Sequence, residues 1–178
     1  MPRPANQALV IQRFLSDVVD SFAPTTPMSI SYNNKTVISG EDLRTPAVVN
    51  PPVVQIGGTS FRSFYTLVMV DPDAPTPTNP TMREYLHWMV TDIPETTTAN
   101  FGNEIIPYES PRPTSGIHRM VFVLFQQQSR NMARSVTNQC RPNFNTRQFG
   151  EMYNLGSPTT VVYFNCQRER GSGGRRFT

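Results

Sequence analysis

Val10, Ile11, Phe14, Leu15, Val18, Val19 and Phe22 recur at intervals of three and four, the spacing of one apolar helix face, and Pro24 stops the run. This predicts an amphipathic helix near the start. After it the period shortens. Met28 to Tyr32, Thr36 to Ile38 and Val53 to Ile56 are short runs of strand-favouring residues bounded by Asn, Gly or Pro. Phe64 to Val70, Tyr85 to Ile93 and Met120 to Phe125 are stronger runs, nearly continuous in apolar residues, as in strands covered on both faces. Thr146 to Asn154 reads as a second helix, capped by Asn145 or Thr146, with Phe149, Met152 and Tyr153 on its apolar face. Gly156 and Pro158 close it, and Thr160 to Cys166 predicts a last strand. The Gly- and Arg-rich tail, residues 169–178, is expected to be mobile. Together these elements predict an all-β-rich fold: a β-sandwich flanked by short helices near both ends. The whole chain, 1–178, reads as one domain with its core over about 9–168.

Composition narrows the choice. Leu, Ile, Val and Phe supply 42 of 178 residues, enough for a core, while 17 prolines cut the chain into short elements. A helical bundle, a coiled coil and a helical repeat array are excluded. No window approaches the roughly 18 apolar residues of a membrane span, and Arg13 and Asp17 interrupt the first twenty residues too early for a secretory signal. Two cysteines, Cys140 and Cys166, without a C-x-x-C pair lead to the expectation of reduced thiols in a cytosolic protein. The net charge of +3 is uneven, −5 over residues 1–111 and +8 over 112–178, and fifteen of the sixteen cations are Arg. Arg grips planar oxyanions with paired hydrogen bonds, so the bias favours phosphate or carboxylate recognition.

Candidate chemistry gathers around the two histidines. Asp71 ends one predicted strand, His87 lies within another and His118 begins a third, so all three can meet at one rim of a sheet. Two neutral imidazoles and oriented amides there would suit an anion, a phosphate head group above all, with affinity rising as pH falls through about 6.5. Enzyme readings find less support. A nucleophile elbow, G-x-S-x-G, is missing; so are H-E-x-x-H and the Walker loop, the last already excluded by a chain whose one lysine is Lys35. Binding is the better reading, with no catalytic residue, metal or cofactor assigned.

Three segments in combination resemble the phosphatidylethanolamine-binding protein family: Asp71-Pro72-Asp73-Ala74-Pro75, Arg83-Glu84-Tyr85-Leu86-His87-Trp88 and Gly116-Ile117-His118-Arg119. The resemblance runs from about Leu9 to Arg176. Tyr65 to Val70, Tyr153-Asn154-Leu155-Gly156 and Asn165-Cys166-Gln167-Arg168-Glu169 are similar to the florigen, or FLOWERING LOCUS T-like, group of plants. The resemblance implies a central β-sandwich and an anion pocket of Asp71, His87 and His118. It further implies a non-enzymatic regulator of flowering, present in cytoplasm and nucleus, mobile between tissues and monomeric when free. Its partners would be a 14-3-3 protein, met through Arg62, Pro94, Phe101 and Arg130, and through that protein a bZIP transcription factor. Direct DNA binding is not expected, since zinc-finger spacing and heptads after a basic region are both missing.

Two positions bear on the sign of such a regulator. Tyr85 is the promoter-type residue, where the TERMINAL FLOWER class carries His. Pro142 stands where promoters carry Gln, at the end of a stretch, Ser135 to Pro142, that lacks the group's Tyr and Trp; counted from Phe125 to Asn143 the segment is two residues longer. With Met132, Ala133, Val136 and Cys140 as its apolar anchors, the segment 131–142 is expected to be exposed and mobile. The alternatives are therefore a flowering antagonist of the same fold, or a phospholipid head-group binder acting through the pocket.

Overall fold

The computed structural model describes residues 13–136 and 139–169. Among the described residues nine strands form two sheets: β1 (Met28–Tyr32), β2 (Lys35–Thr36), β3 (Glu41–Arg44), β4 (Val53–Ile56), β5 (Phe64–Asp71), β6 (Tyr85–Pro94), β7 (Asn103–Ile106), β8 (Ile117–Gln126) and β9 (Thr160–Gln167). The small sheet has the order β2-β1-β4, the large one β3-β9-β8-β5-β6-β7. All pairings are antiparallel except β3 with β9.

Both faces of the large sheet are covered, which is why its central strands read as continuous apolar runs. In β5, Leu67 and Met69 point to a core shared with Ile30, Val54 and Ile56 of the small sheet. Their neighbours Val68 and Val70 point the other way, to a second core with Leu15, Val18, Phe144 and Phe149. β8 repeats the alternation: Met120, Phe122 and Leu124 face the first core, Val121, Val123 and Phe125 the second. The second core is roofed by α1 (Thr146–Met152), whose cap is Asn145, the side chain accepting from Gln148 N.

The helix expected over residues 10–22 differs. Val10 and Ile11 lie outside the described residues; among the described ones helical geometry covers Arg13 and Phe14. A closing turn follows, with Val18 N and Val19 N both bonded to Leu15 O. The turn still buries Leu15, Val18 and Val19 against the sheet. From Leu15 onwards, packing of a turn rather than a continuing helix satisfies the apolar spacing. In the second predicted strand Ile38 is 73% exposed and outside β2. Sequence periodicity missed β3 and β7, four-residue edge strands without apolar–polar alternation in sequence. The expected tail falls almost wholly outside the described residues, beginning at residue 170.

Candidate functional sites at the two ends of the large sheet

β5 and β6 pair with Asp71 opposite Tyr85, and β8 begins beside them, so the ends of three strands frame one rim. A cleft of about 220 Å³ opens there, lined among others by Asp71, Tyr85, His87, Glu109, Arg112 and His118. The three residues expected to converge do so. His118 donates through Nδ1 to Asp71 Oδ2 at 2.6 Å and through Nε2 to the Ser115 carbonyl at 2.9 Å. Asp71 Oδ1 accepts from Asp73 N at 2.8 Å.

The two rings are not alike. Burial works against a charge on His118, but the hydrogen bond and charge of Asp71, with the Ser115 carbonyl, outweigh it and hold its pKa above the ordinary value. With an acceptor facing each of its nitrogens, the ring is placed to hold its proton more readily than a free imidazole. His87 donates from Nδ1 to the Glu109 carbonyl at 2.6 Å. There burial prevails over that bond and over Asp71, and its pKa falls below the ordinary value. The expectation of two like, neutral imidazoles is corrected to two unlike ones: the surroundings favour the charged form of His118 and disfavour it for His87. Arg112, exposed on the rim between Pro111 and Pro113, is a cation of this cleft that sequence reasoning passed over. The Pro-Arg-Pro run was its signal.

Tyr85 is half-buried at the rim. Its hydroxyl donates to both Glu109 oxygens at 3.0 Å, and its ring meets His87 edge-on at 5.1 Å between centroids. Glu109 is also ion-paired with Arg141 Nε at 3.1 Å. Beneath the cleft Arg119 holds Asp73 and Asp17 together, at 2.8 and 2.7 Å from its Nη2, tying the segment after residue 13 to the sheet. Burial notwithstanding, Arg119 keeps the Asp73 pKa below the usual carboxylate range.

The four other predicted residues lie at the opposite end of the sheet. Pro94 pairs with Phe64, the first residue of β5; Arg62 precedes that strand by two residues. The Arg130 guanidinium lies over the Phe64 ring at 5.4 Å from its centroid. Phe101 follows β6 in a short 3₁₀ turn and is 70% exposed. Phe61, 77% exposed, adds an aromatic that the sequence reading did not single out. Seven residue steps of β5 separate Phe64 from Asp71, roughly 23 Å at ~3.3 Å per residue. The arginine–aromatic face and the cleft are separate sites.

Between them runs the segment expected to be loose. Met132 and Val136 are buried, and Met132 N and Ala133 N donate to the Asp92 carboxylate at 2.9 Å each. At the far side Arg141 donates to the carbonyls of Leu86, His87 and Pro107 at 3.0, 2.9 and 2.8 Å. The expected exposure holds at Asn131, Arg134, Ser135, Cys140 and Pro142, while Met132 and Val136 are buried and both flanks are tied down by hydrogen bonds; residues 137–138 lie outside the described residues. Counting apolar anchors overlooked a buried carboxylate and a guanidinium that bind backbone instead. Pro142 is exposed and Cys140 a free, exposed thiol.

Residues 21–164, which include these strand ends, match the family model described as phosphatidylethanolamine-binding protein, and the chain belongs to that family. Within it the chain falls with the FLOWERING LOCUS T-like plant group. It is 55% identical over 168 residues to Protein TWIN SISTER of FT of Arabidopsis thaliana, covering 94% of this chain and 95% of that one. Protein FLOWERING LOCUS T of the same plant is 54% identical over 168 residues with the same coverage. Among solved structures, a phosphatidylethanolamine-binding protein from Plasmodium vivax superposes with a TM-score of 0.74 at 22% identity, covering 92% of this chain and 97% of that one, and shares the fold.

Proposed function

We propose that the chain is a non-enzymatic regulator of flowering that works as an adaptor, binding a 14-3-3 protein through Arg62, Pro94, Phe101 and Arg130 and, through it, a bZIP transcription factor. The reading places its action in cytoplasm and nucleus. What carries it is the arginine–aromatic face: Phe101 is 70% exposed with Pro94 and two arginines at the same end of the sheet. An exposed aromatic beside Arg forks is the composition of a docking hot spot for an acidic partner. Similarity to two proteins named for flowering supports the biological role. Tyr85 favours a promoter over an antagonist.

Titration calorimetry with 14-3-3 protein tests the adaptor reading. Arg62→Ala and Phe101→Ala should each weaken binding about tenfold or more, and binding of the unaltered chain should fall as salt rises. Unchanged affinity in both folded variants would refute the assignment. A second reading, recognition of a phospholipid head group in the cleft, is favoured by Arg112 and the His118–Asp71 pair. It predicts vesicle binding that Arg112→Ala reduces and Arg62→Ala leaves alone.

A further inference from the structure

The loop that carries Phe61 and Arg62, residues 57–63, wraps around one side chain. Glu95 follows β6 directly and is only 7% exposed. Its Oε2 accepts from Ser60 N at 3.1 Å, and its backbone N donates to Ser63 O at 2.9 Å. Tyr65 Oη lies 3.5 Å from Oε1 and 3.2 Å from Thr26 Oγ1, closing the far side of the carboxylate. Gly58 lies against it so closely that a Cβ there would stand 2.0 Å from Glu95 Oε1, and its φ of +123° suits glycine alone. Ser60 Oγ in turn accepts from Arg62 N at 3.2 Å. A chain of contacts thus runs from a buried carboxylate through Ser60 to the backbone of Arg62.

We infer that Glu95 is the positioning residue of the docking face: its carboxylate holds Ser60 and so fixes the loop that presents Phe61 and Arg62. The inference rests on the adaptor reading above. A charge-assisted bond from a carboxylate to a backbone N–H is stronger than a neutral one, and Glu95 makes it without reaching the surface itself. Its effect on a partner therefore passes through the loop. Holding the loop in its bound form lowers the entropy lost on docking.

The test compares Glu95→Ala, Glu95→Gln and Arg62→Ala in the full chain, reading amide hydrogen exchange at Ser60 and affinity for 14-3-3 protein. Glu95→Ala should speed exchange at Ser60 about tenfold, leave Val68 to Val70 protected, and weaken 14-3-3 binding about tenfold. Glu95→Gln keeps an acceptor for Ser60 N and should restore both. Should the alanine variant fail to fold, Gly58→Ala drives the carboxylate away without removing it and should give the same two changes. Unaltered exchange at Ser60 in Glu95→Ala overturns the inference. So does faster exchange with undiminished binding while Arg62→Ala still weakens it, and in that case the adaptor reading stands. If Arg62→Ala and Phe101→Ala both bind normally, the adaptor reading has failed and takes this inference with it.

Discussion

Glu84 sits inside the molecule, 4% exposed, between the cleft and α1. Its carboxyl is bonded to the Thr146 hydroxyl, and Thr146 N approaches Oε1 at 3.2 Å. Burial raises its pKa more than those bonds and Arg147 lower it, pushing it up to about 7. Because the folded pKa exceeds the unfolded one, the group favours folding below about 4.5 and that contribution is lost as pH rises through 7. Glu84→Gln keeps the shape and an acceptor without the charge. Melting curves should show the variant matching the original at pH 5 and exceeding it at pH 8, by roughly 1–3 kcal/mol. Equal stability at both values would mean that Glu84 is not strained by its charge. The two histidines obey the same logic in opposite directions. His118 is charged at pH 6.5 and sheds its proton above it, while His87 gains one below it. Phosphate affinity of the cleft, followed from pH 5 to 8, should change in two steps on either side of 6.5. One step at 6.5 itself would restore the reading of two ordinary imidazoles.

At the scale of elements, the apolar strands were legible because each of their faces meets a core, and the match of β5, β6 and β8 to sequence runs follows from that. β3 and β7 were not legible, since they are four-residue edge strands, Glu-Asp-Leu-Arg and Asn-Glu-Ile-Ile, too short to show an alternating pattern. The pocket residues could be named from strand ends alone. Their protonation could not, because it depends on the Ser115 and Glu109 carbonyls, brought near only by the fold. Asp92 shows the same limit. It is buried with a φ of +57° and collects donors from Gln127, Met132, Ala133 and Asn103. Burial opposes its charge, yet these donors hold its pKa below the ordinary range. Nothing in the spacing of Asp92 and Met132 announces that bond. Its stabilisation is present above the unfolded pKa and is lost as pH falls through the folded one. Asp92→Ala strands two amides beside a lost carboxylate and should cost about 3 kcal/mol in urea unfolding at pH 7. It should also open the neighbouring Arg134 to trypsin. A cost below about 0.5 kcal/mol would show that water replaces the carboxylate freely.

Across the whole molecule, the segment that departs from the florigen pattern joins the two sites. It leaves the arginine–aromatic end, where Asp92 holds Met132, and reaches the cleft, where Arg141 grips the carbonyls of Leu86 and His87. Asp92 and Leu86 are six steps apart on β6, roughly 20 Å at ~3.3 Å per residue. Its two anchors are independent, one a buried carboxylate and the other a guanidinium shared with Glu109 and hence with Tyr85. Arg141→Ala should therefore loosen the cleft rim and free Tyr85 from part of its partner without disturbing Arg62, Phe101 or Arg130. Affinity for 14-3-3 protein should stay within about twofold of the original, because distant sites without shared partners act additively. If Tyr85 and its rim set the direction of the flowering response, plants overexpressing Arg141→Ala should differ in flowering time from those overexpressing the unaltered chain. Plants overexpressing Arg62→Ala should lose the response altogether. A fall in 14-3-3 affinity as large as that of Arg62→Ala would show that the segment transmits strain from end to end, and the two sites would then have to be treated as one.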